Sequence, residues 1–313
     1  MSRLNVQRLH RVFAVFIWSS CWERSPRTNL FRSVRYGGLG LSHLFMRQIV
    51  SRFVFFRDQQ DSFFFLRAVM QERLRNALPE FAVSTGNGHC ASIQGFLREV
   101  VLSVRFLAVR FSIKYLSSVP RKRLYKDLAD VLLPIPLYRS LYCGGPGQDV
   151  LKRAKRMPVK PSMKTFFFKL HCGALPVKPW PEAEGFFVPW SVNCLLCKVP
   201  ESIEHVFIDC WDAVFLWDVL QRTLKKDLPL TAHGIRFLPL EKEGGIPYDM
   251  FMLLGLHSLW RTRTGVHNAD VNVRSAREYF IESVAYIREV YRSLPEPPDW
   301  LRVLDDLVSL KRF

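Results

Sequence analysis

Cys194-Leu195-Leu196-Cys197-Lys198-Val199-Pro200-Glu201-Ser202-Ile203-Glu204-His205-Val206-Phe207-Ile208-Asp209-Cys210 is the stretch from which the rest of the chain is read. Three thiols and one imidazole follow the spacing Cys-x2-Cys-x7-His-x4-Cys. Zinc takes four tetrahedral ligands from thiolate sulfur and imidazole nitrogen, and a Cys3His set is a closed, structural combination. A two-residue gap lets both sulfurs of a Cys-x2-Cys turn face one ion. A turn of helix over Ile203–Phe207 would aim His205 back at it. Four protein donors leave no position for water, so this site is expected to supply folding free energy and no catalysis. The competing reading is a set of buried free cysteines, with Phe207 and Trp211 as apolar neighbours that bring burial with them.

Outward from the cluster, the chain reads as helices. Apolar residues recur at helical spacing from Leu44 to Arg57, with Ser42 placed to cap that helix. Helices are expected over Ser62–Leu78, Ile93–Leu116, Arg121–Leu132 and Trp211–Leu224, and near 248–262, 273–293 and 298–310. An opening helix contains Phe13–Trp18. Ser84–His89 is turn-rich, and residues 133–149 hold two prolines and Cys143-Gly144-Gly145-Pro146-Gly147, which predicts a loop. The Phe63-Phe64-Phe65 and Phe166-Phe167-Phe168 clusters read as packing surfaces rather than base-stacking platforms. No repeat and no clear sheet emerges, so the fold class is mainly α. Four segments are expected: a helical segment over 1–83, a basic helical linker over 84–160, a small zinc knuckle within 161–224, and a C-terminal helical bundle over 225–313.

Charge divides the chain unevenly. The 313 residues carry a net +17. Residues 1–180 hold 30 Lys and Arg against 9 Asp and Glu, whereas residues 181–313 hold 15 against 19. Such a surplus attracts a polyanion, and nucleic acid is the expected partner, bound with strong salt dependence. The plain alternative is a solvated basic surface. Candidate phosphate contacts are Arg24, Arg27 and Arg32 in the first segment, Arg121, Lys122 and Arg123 at the head of a basic helix, and Lys152, Arg153, Lys155, Arg156 and Lys160 in the densest positive run. The apolar stretches Phe13–Trp18 and Phe106–Val109 are too short to span a bilayer, so no membrane partner is expected. The seven Cys form no repeating framework, which points to a metal site in a reducing compartment rather than to disulfides. His171-Cys172 lies close enough in sequence to compete as a ligand, but its spacing is poor.

Residues 164–220 also resemble a known family. Lys164-Thr165-Phe166-Phe167-Phe168-Lys169-Leu170-His171-Cys172-Gly173-Ala174-Leu175-Pro176-Val177, the Cys/His cluster, and Ala213-Val214-Phe215-Leu216-Trp217 are similar to the zinc-binding region that follows the reverse transcriptase of non-LTR (LINE-type) retrotransposons. Leu9–Leu44, with Phe16-Ile17-Trp18, the basic Arg24–Arg35 stretch and Gly37-Gly38-Leu39-Gly40-Leu41, resembles the thumb of the same polymerases. Together the two matches cover about a third of the chain. The resemblance implies a thumb-like first segment, a structural zinc, RNA or DNA as partner, and association with the rest of a polymerase. It also implies work at chromosomal DNA, so the expected location is nuclear or cytoplasmic.

The departures bound what the chain can do. The family's aromatic-x-Asp-Asp turn for two magnesium ions has no counterpart, since the only Asp-Asp pair is Asp305-Asp306 on a helical face. No catalytic residue and no catalytic Mg site are expected. Gly37-Gly38-x-Gly40 lacks the spacing and the preceding strand of a dinucleotide site. The expectation is a truncated retrotransposon product that binds nucleic acid. Two alternatives stay open: a C-terminal fragment of an active RNA-directed DNA polymerase, and a helical protein-interaction module using Trp260, Tyr279, Phe280, Tyr286, Tyr291 and Trp300.

Overall fold

Apolar residues at helical spacing set the first half of the molecule. The structure is a computed structural model that describes residues 3–18, 25–62, 94–140, 144–177, 191–240, 244–267 and 272–310. Its residues fall into two compact units. The first comprises Met1–Cys21, Arg27–Ser33 and Gly38–Pro134. The second comprises Trp22–Pro26, Val34–Gly37 and Ile135–Phe313. Among the described residues the fold is mainly α, and the β pairing is one isolated antiparallel bridge between Asn193 and Pro200.

The first unit contains α1 (Arg3–Trp18), α2 (Thr28–Phe31), α3 (Leu44–Ser62), α4 (Gly95–Ala108), α5 (Ile113–Ser118) and α6 (Arg121–Leu132). α3 is its hub and packs against α1, α4 and α6. Of the periodic face, Leu44, Phe45, Ile49, Val50, Phe53 and Phe56, the last four are buried, while Phe45 is exposed and Met46 is buried in its place. α6 begins and ends where the sequence places it. The single helix expected over Ile93–Leu116 is instead broken. α4 ends at Ala108, and the Ser112 hydroxyl accepts from the Tyr115 N–H at 3.3 Å to start α5 afresh. An internal serine offering its side chain as an N-cap outcompetes continuation of the helix. The helix expected over Ser62–Leu78, the Phe63–Phe65 cluster and Arg24 lie outside the described residues.

The start of α3 is closed by two imidazoles. The Leu44 N–H donates to His10 Nε2 at 3.2 Å, and the Met46 N–H donates to His43 Nδ1 at 3.4 Å. The His43 N–H donates to the Tyr125 hydroxyl at 2.8 Å. Three of the N–H groups left over at a helix start are thereby satisfied. Both imidazoles accept through a lone pair, so both are neutral. Burial first, then the repulsion that a protonated His10 would exert, pushes His43 down to about 4; burial and the Arg27 charge lower His10.

The glycine run lies against α2. Leu39, Gly40 and Leu41 donate their N–H groups to the carbonyls of Asn29, Arg32 and Leu30 at 3.1, 2.9 and 3.0 Å. A Cβ on Gly38 would stand 2.0 Å from the Arg32 carbonyl oxygen, so only glycine permits this approach.

The second unit contains α7 (Leu137–Ser140), α8 (Val150–Arg156), α9 (Pro161–His171), α10 (Trp211–Leu224), α11 (Ala232–Phe237), α12 (Tyr248–His267), α13 (Ala276–Arg292) and α14 (Leu301–Val308). Pro161 occupies the first turn of α9, where its missing N–H costs nothing. α13 opens on a capping box, with Ser275 and Glu278 exchanging side-chain to backbone bonds. α12 is the hub: it packs against α9, α10 and α13. Phe167, Phe207, Trp217, Phe237, Phe251 and Phe280 are fully buried, and each contributes roughly 1.5–3 kcal/mol by leaving water. Phe166, Phe167 and Phe168 are all core, as the packing reading of that cluster predicts. Among the described residues, no helix is long and apolar enough to cross a membrane.

Candidate metal centre

The Cys-x2-Cys turn is shaped by backbone geometry before any side chain acts. The Cys194 N–H donates to the Val199 carbonyl at 2.8 Å, and the Lys198 N–H returns to the Cys194 carbonyl at 3.0 Å. Lys198 adopts the left-handed region, φ 60°, to close the loop. The chain then runs back beside itself, with Glu201 N–H donating to the Val192 carbonyl at 3.2 Å. Both thiols of the turn therefore point to one side.

The other pair comes from a helical turn of unusual width. Ser202 Oγ accepts from the His205 N–H at 2.9 Å and starts it. Residues His205–Asp209 then form a π turn, closed by the Cys210 N–H donating to the His205 carbonyl at 2.8 Å. In an α-helix, residues five apart point well away from each other. An i→i+5 closure brings Cys210 back over His205, and such turns are common at functional sites. The sequence expected a turn over Ile203–Phe207; the wide closure is what the four-residue gap between His205 and Cys210 requires. The Trp217 indole N–H donates to the Phe207 carbonyl at 2.7 Å and ties this turn to α10.

These pieces converge. Ligand atoms of Cys194, Cys197, His205 and Cys210 all lie within 4.8 Å of one another, a group that could hold a metal ion. Cys210 Sγ stands 3.9 Å from both Cys194 Sγ and Cys197 Sγ. Tetrahedral coordination at a metal–sulfur distance of about 2.3 Å places sulfurs roughly 3.8 Å apart, so the geometry fits. His205 is buried, and its Nε2 has no hydrogen-bond partner among the described residues. A buried orphan nitrogen is costly unless something binds it, and His205 stands in a cluster that could hold a metal ion. Burial opposes charge on Cys194, but the Cys197 N–H, the adjacent His205 imidazole and the Arg263 guanidinium outweigh it and lower the thiol to about 6. Cys210 goes the other way, since burial and the neighbouring Cys194 charge raise it. One thiolate forms readily and makes the next harder, a conflict that a divalent cation resolves.

No family model matches this chain, and no curated protein or solved structure matches it either. The geometry of the cluster is therefore what speaks for the site.

The competing donors are committed elsewhere. His171 is fully buried. Its Nδ1 lies 2.7 Å from the Arg236 carbonyl and its Nε2 lies 3.1 Å from Arg139 Nη1. Those partners assign the proton to Nδ1 and the lone pair to Nε2. Burial holds its pKa down to about 3. Cys172 donates its thiol to the Phe168 carbonyl at 3.0 Å, and burial pushes it up to about 12. Neither residue joins the cluster. Trp211, expected to share the burial of Phe207, is 59% exposed, because α10 turns its Trp211–Phe215 edge to solvent while Phe207 faces inward.

The basic candidates separate into two kinds. Arg121, Lys122 and Arg123 are exposed on α6, and Lys152, Lys155 and Arg156 are exposed on α8. Arg123 is paired with Asp127 at 2.8 Å. Lys160 is half-buried, near Glu282 at 3.8 Å and over the Tyr286 ring. Arg27 is half-buried beside the His10 environment. Arg32 belongs to the interior instead, and the half-buried Arg153 is taken up by protein partners. Arg32 is buried and donates to Asn29. Arg153 pairs with Asp249, bonds Asp149 at 3.0 Å, and caps the end of α11 through the Phe237 and Leu238 carbonyls at 3.2 and 2.8 Å. Spacing alone could not reveal Asp249, Phe237 and Leu238 as partners of Arg153, since they come from distant sequence, whereas Asn29 and Asp149 lie within one helical turn.

Two features escaped the sequence reading. Arg47 joins Arg121, Lys122, Ser42, Val50 and Tyr125 around a cleft of about 370 Å3, which no carboxylate among the described residues lines. Its signal was visible as a cation one turn into α3. Arg263 reaches the metal cluster from α12, and nothing local in sequence marks it.

Proposed function

We propose that this chain binds nucleic acid through exposed cations and uses a structural zinc to hold the fold of its second unit, as the C-terminal region of a non-LTR retrotransposon reverse transcriptase that lacks the polymerase centre. The observation that carries the reading is the Cys3His cluster: its members come together in space at zinc-compatible sulfur spacing, in a chain with a net charge of +17. Zinc, when bound, would supply a fixed tetrahedral crosslink between the Cys-x2-Cys turn and the π turn. Cys194, Cys197 and Cys210 would donate thiolates and His205 its Nε2.

The phosphate contacts fall to the exposed cations. Arg47, Arg121 and Lys122 converge on the α3–α6 cleft, and the Tyr125 hydroxyl, which accepts from His43, keeps its own proton for a ligand. Lys152, Lys155 and Arg156 form a second patch on α8. Such contacts give affinity with little base reading. Of the aromatics named for the interaction-module alternative, Tyr279 and Phe280 are buried, Trp260 packs beside Phe166 and Phe207, Tyr291 meets Trp300 at 4.8 Å, and Tyr286 is exposed.

The test is salt-dependent binding of labelled single-stranded RNA and of duplex DNA, for the wild-type chain, Arg47→Ala/Arg121→Ala/Lys122→Ala, and Lys152→Ala/Lys155→Ala/Arg156→Ala. Removing one phosphate-binding cation should reduce the slope of log K against log salt by roughly 0.7–0.9. Unchanged slopes in both variants would remove the nucleic-acid reading. Nucleotide incorporation by the purified chain, above a heat-killed control, would overturn the expectation that it carries no polymerase centre.

A further inference from the structure

A divalent ion with three thiolates and a neutral imidazole carries one net negative charge. Cys194 and Cys210 are each 1% exposed, so that charge would sit where water cannot solvate it. The structure holds a cation at that place. Arg263, with a side chain 9% exposed, extends from α12 and directs Nη2 to Cys194 Sγ at 3.2 Å and to Cys210 Sγ at 3.5 Å. Its Nε faces Glu201 Oε2 at 3.6 Å, and Glu201 is itself 1% exposed.

We infer that Arg263 is a positioning residue for the metal, a cation that bridges two of the three thiolates and is itself oriented by Glu201. The inference rests on the reading of the cluster as a metal site. Three consequences follow from its geometry. The guanidinium offsets one unit of the buried negative charge that the loaded site and the Glu201 carboxylate bring together. Its N–H groups draw electron density from two sulfurs, which makes them poorer nucleophiles. And because Arg263 belongs to α12, metal loading and the docking of the C-terminal helices become one event. The centre is therefore larger than the knuckle, since it recruits a residue 69 positions beyond Cys194. A guanidinium suits this role better than an ammonium, because its planar fork reaches both sulfurs and the carboxylate at once.

Cobalt substitution in the full chain reads the effect directly. Cobalt(II) bound to thiolates gives a sulfur-to-metal charge-transfer band, whose energy rises when hydrogen bonds stabilise the sulfur electrons. Arg263→Met should move that band to longer wavelength, weaken zinc affinity by about 10- to 100-fold, as loss of outer-sphere partners generally does, and speed alkylation of the loaded thiolates by N-ethylmaleimide. Arg263→Lys keeps the charge but cannot span both sulfurs, so its band and affinity should lie between those of Met and wild type. Wild-type band position, affinity and alkylation rate in Arg263→Met would overturn the inference while leaving the metal site standing. If Arg263→Met fails to fold, a wild-type band in Arg263→Lys would overturn the two-sulfur bridge equally. A wild-type chain that takes up neither cobalt nor zinc would instead bring down the metal reading, and the inference with it.

Discussion

The two units are built from similar helices but are secured by different chemistry. In the first, α3 is fixed by apolar packing, by two neutral imidazoles at its start, and by a glycine run pressed against α2. In the second, α12 is also packed through a buried apolar face over residues 251–256, and adds ionic and sulfur contacts: Arg153 to Asp249, Arg261 to Glu282 at 3.6 Å, and Arg263 to Glu201 and the cysteine cluster. The contrast follows composition. Acidic residues are scarce in residues 1–180, so cations there have few partners and many stay at the surface. The first unit keeps Arg47, Arg121 and Lys122 around its cleft for a polyanion, and the second uses charge to hold itself together while leaving Lys152, Lys155 and Arg156 at its surface.

The comparison breaks most visibly on metal removal. Cys194→Ser/Cys197→Ser should abolish metal content and strip hydrogen-exchange protection from residues 191–224 and from α12, while α3 and α4 keep theirs. Structural zinc contributes on the order of 10 kcal/mol of apparent binding free energy, so this should be the largest single effect. Equal loss of protection in both units would erase the distinction. A smaller effect belongs to the first unit. Gly38→Ala should destabilise it by about 3 kcal/mol in chemical denaturation, the upper range for forced overpacking, because the new methyl meets a backbone oxygen and not a yielding side chain. A change below about 0.5 kcal/mol, the usual surface range, would mean that the glycine run is not what locks α2 in place.

Asp249→Asn addresses the second unit's ionic interior. Asp249 is buried and Arg153 is partly exposed, so the loss should fall between surface and buried pairs, roughly 2 kcal/mol. The mildest effect is acid sensitivity at the start of α3. His43 titrates near 6.5 when unfolded and is pushed down to about 4 when folded, so the unfolded chain binds the proton first. The stability it contributes is complete above about pH 6.5 and is lost as pH falls toward 4. Exchange protection of α3 should decline through that window, and His43→Gln should flatten the decline. An unaltered slope in the variant would assign acid sensitivity elsewhere, His10 being the nearest alternative.

Much of this molecule is legible without coordinates. Helical periodicity places α6 and α10 to the residue, because each begins at a stopper, Pro120 or Cys210, and carries its apolar face without interruption. It misjudges Ile93–Leu116, where Ser112 restarts the chain, since a capping side chain and an exposed serine look alike in sequence. The capping box of Ser275 and Glu278 was readable and would have set the start of α13 at Ala276.

Local spacing by itself determined the four members of the Cys/His cluster, the helical class and the basic half of the chain, because each is a property of neighbours along the sequence. Only the tertiary structure decided that Arg32 and Arg153 turn inward, that His171 and Cys172 are occupied, and that Arg263 stands over the sulfurs. A charged side chain is placed by whichever partner lies within about 4 Å, and in a folded chain that partner is set by packing between segments that sequence order keeps apart.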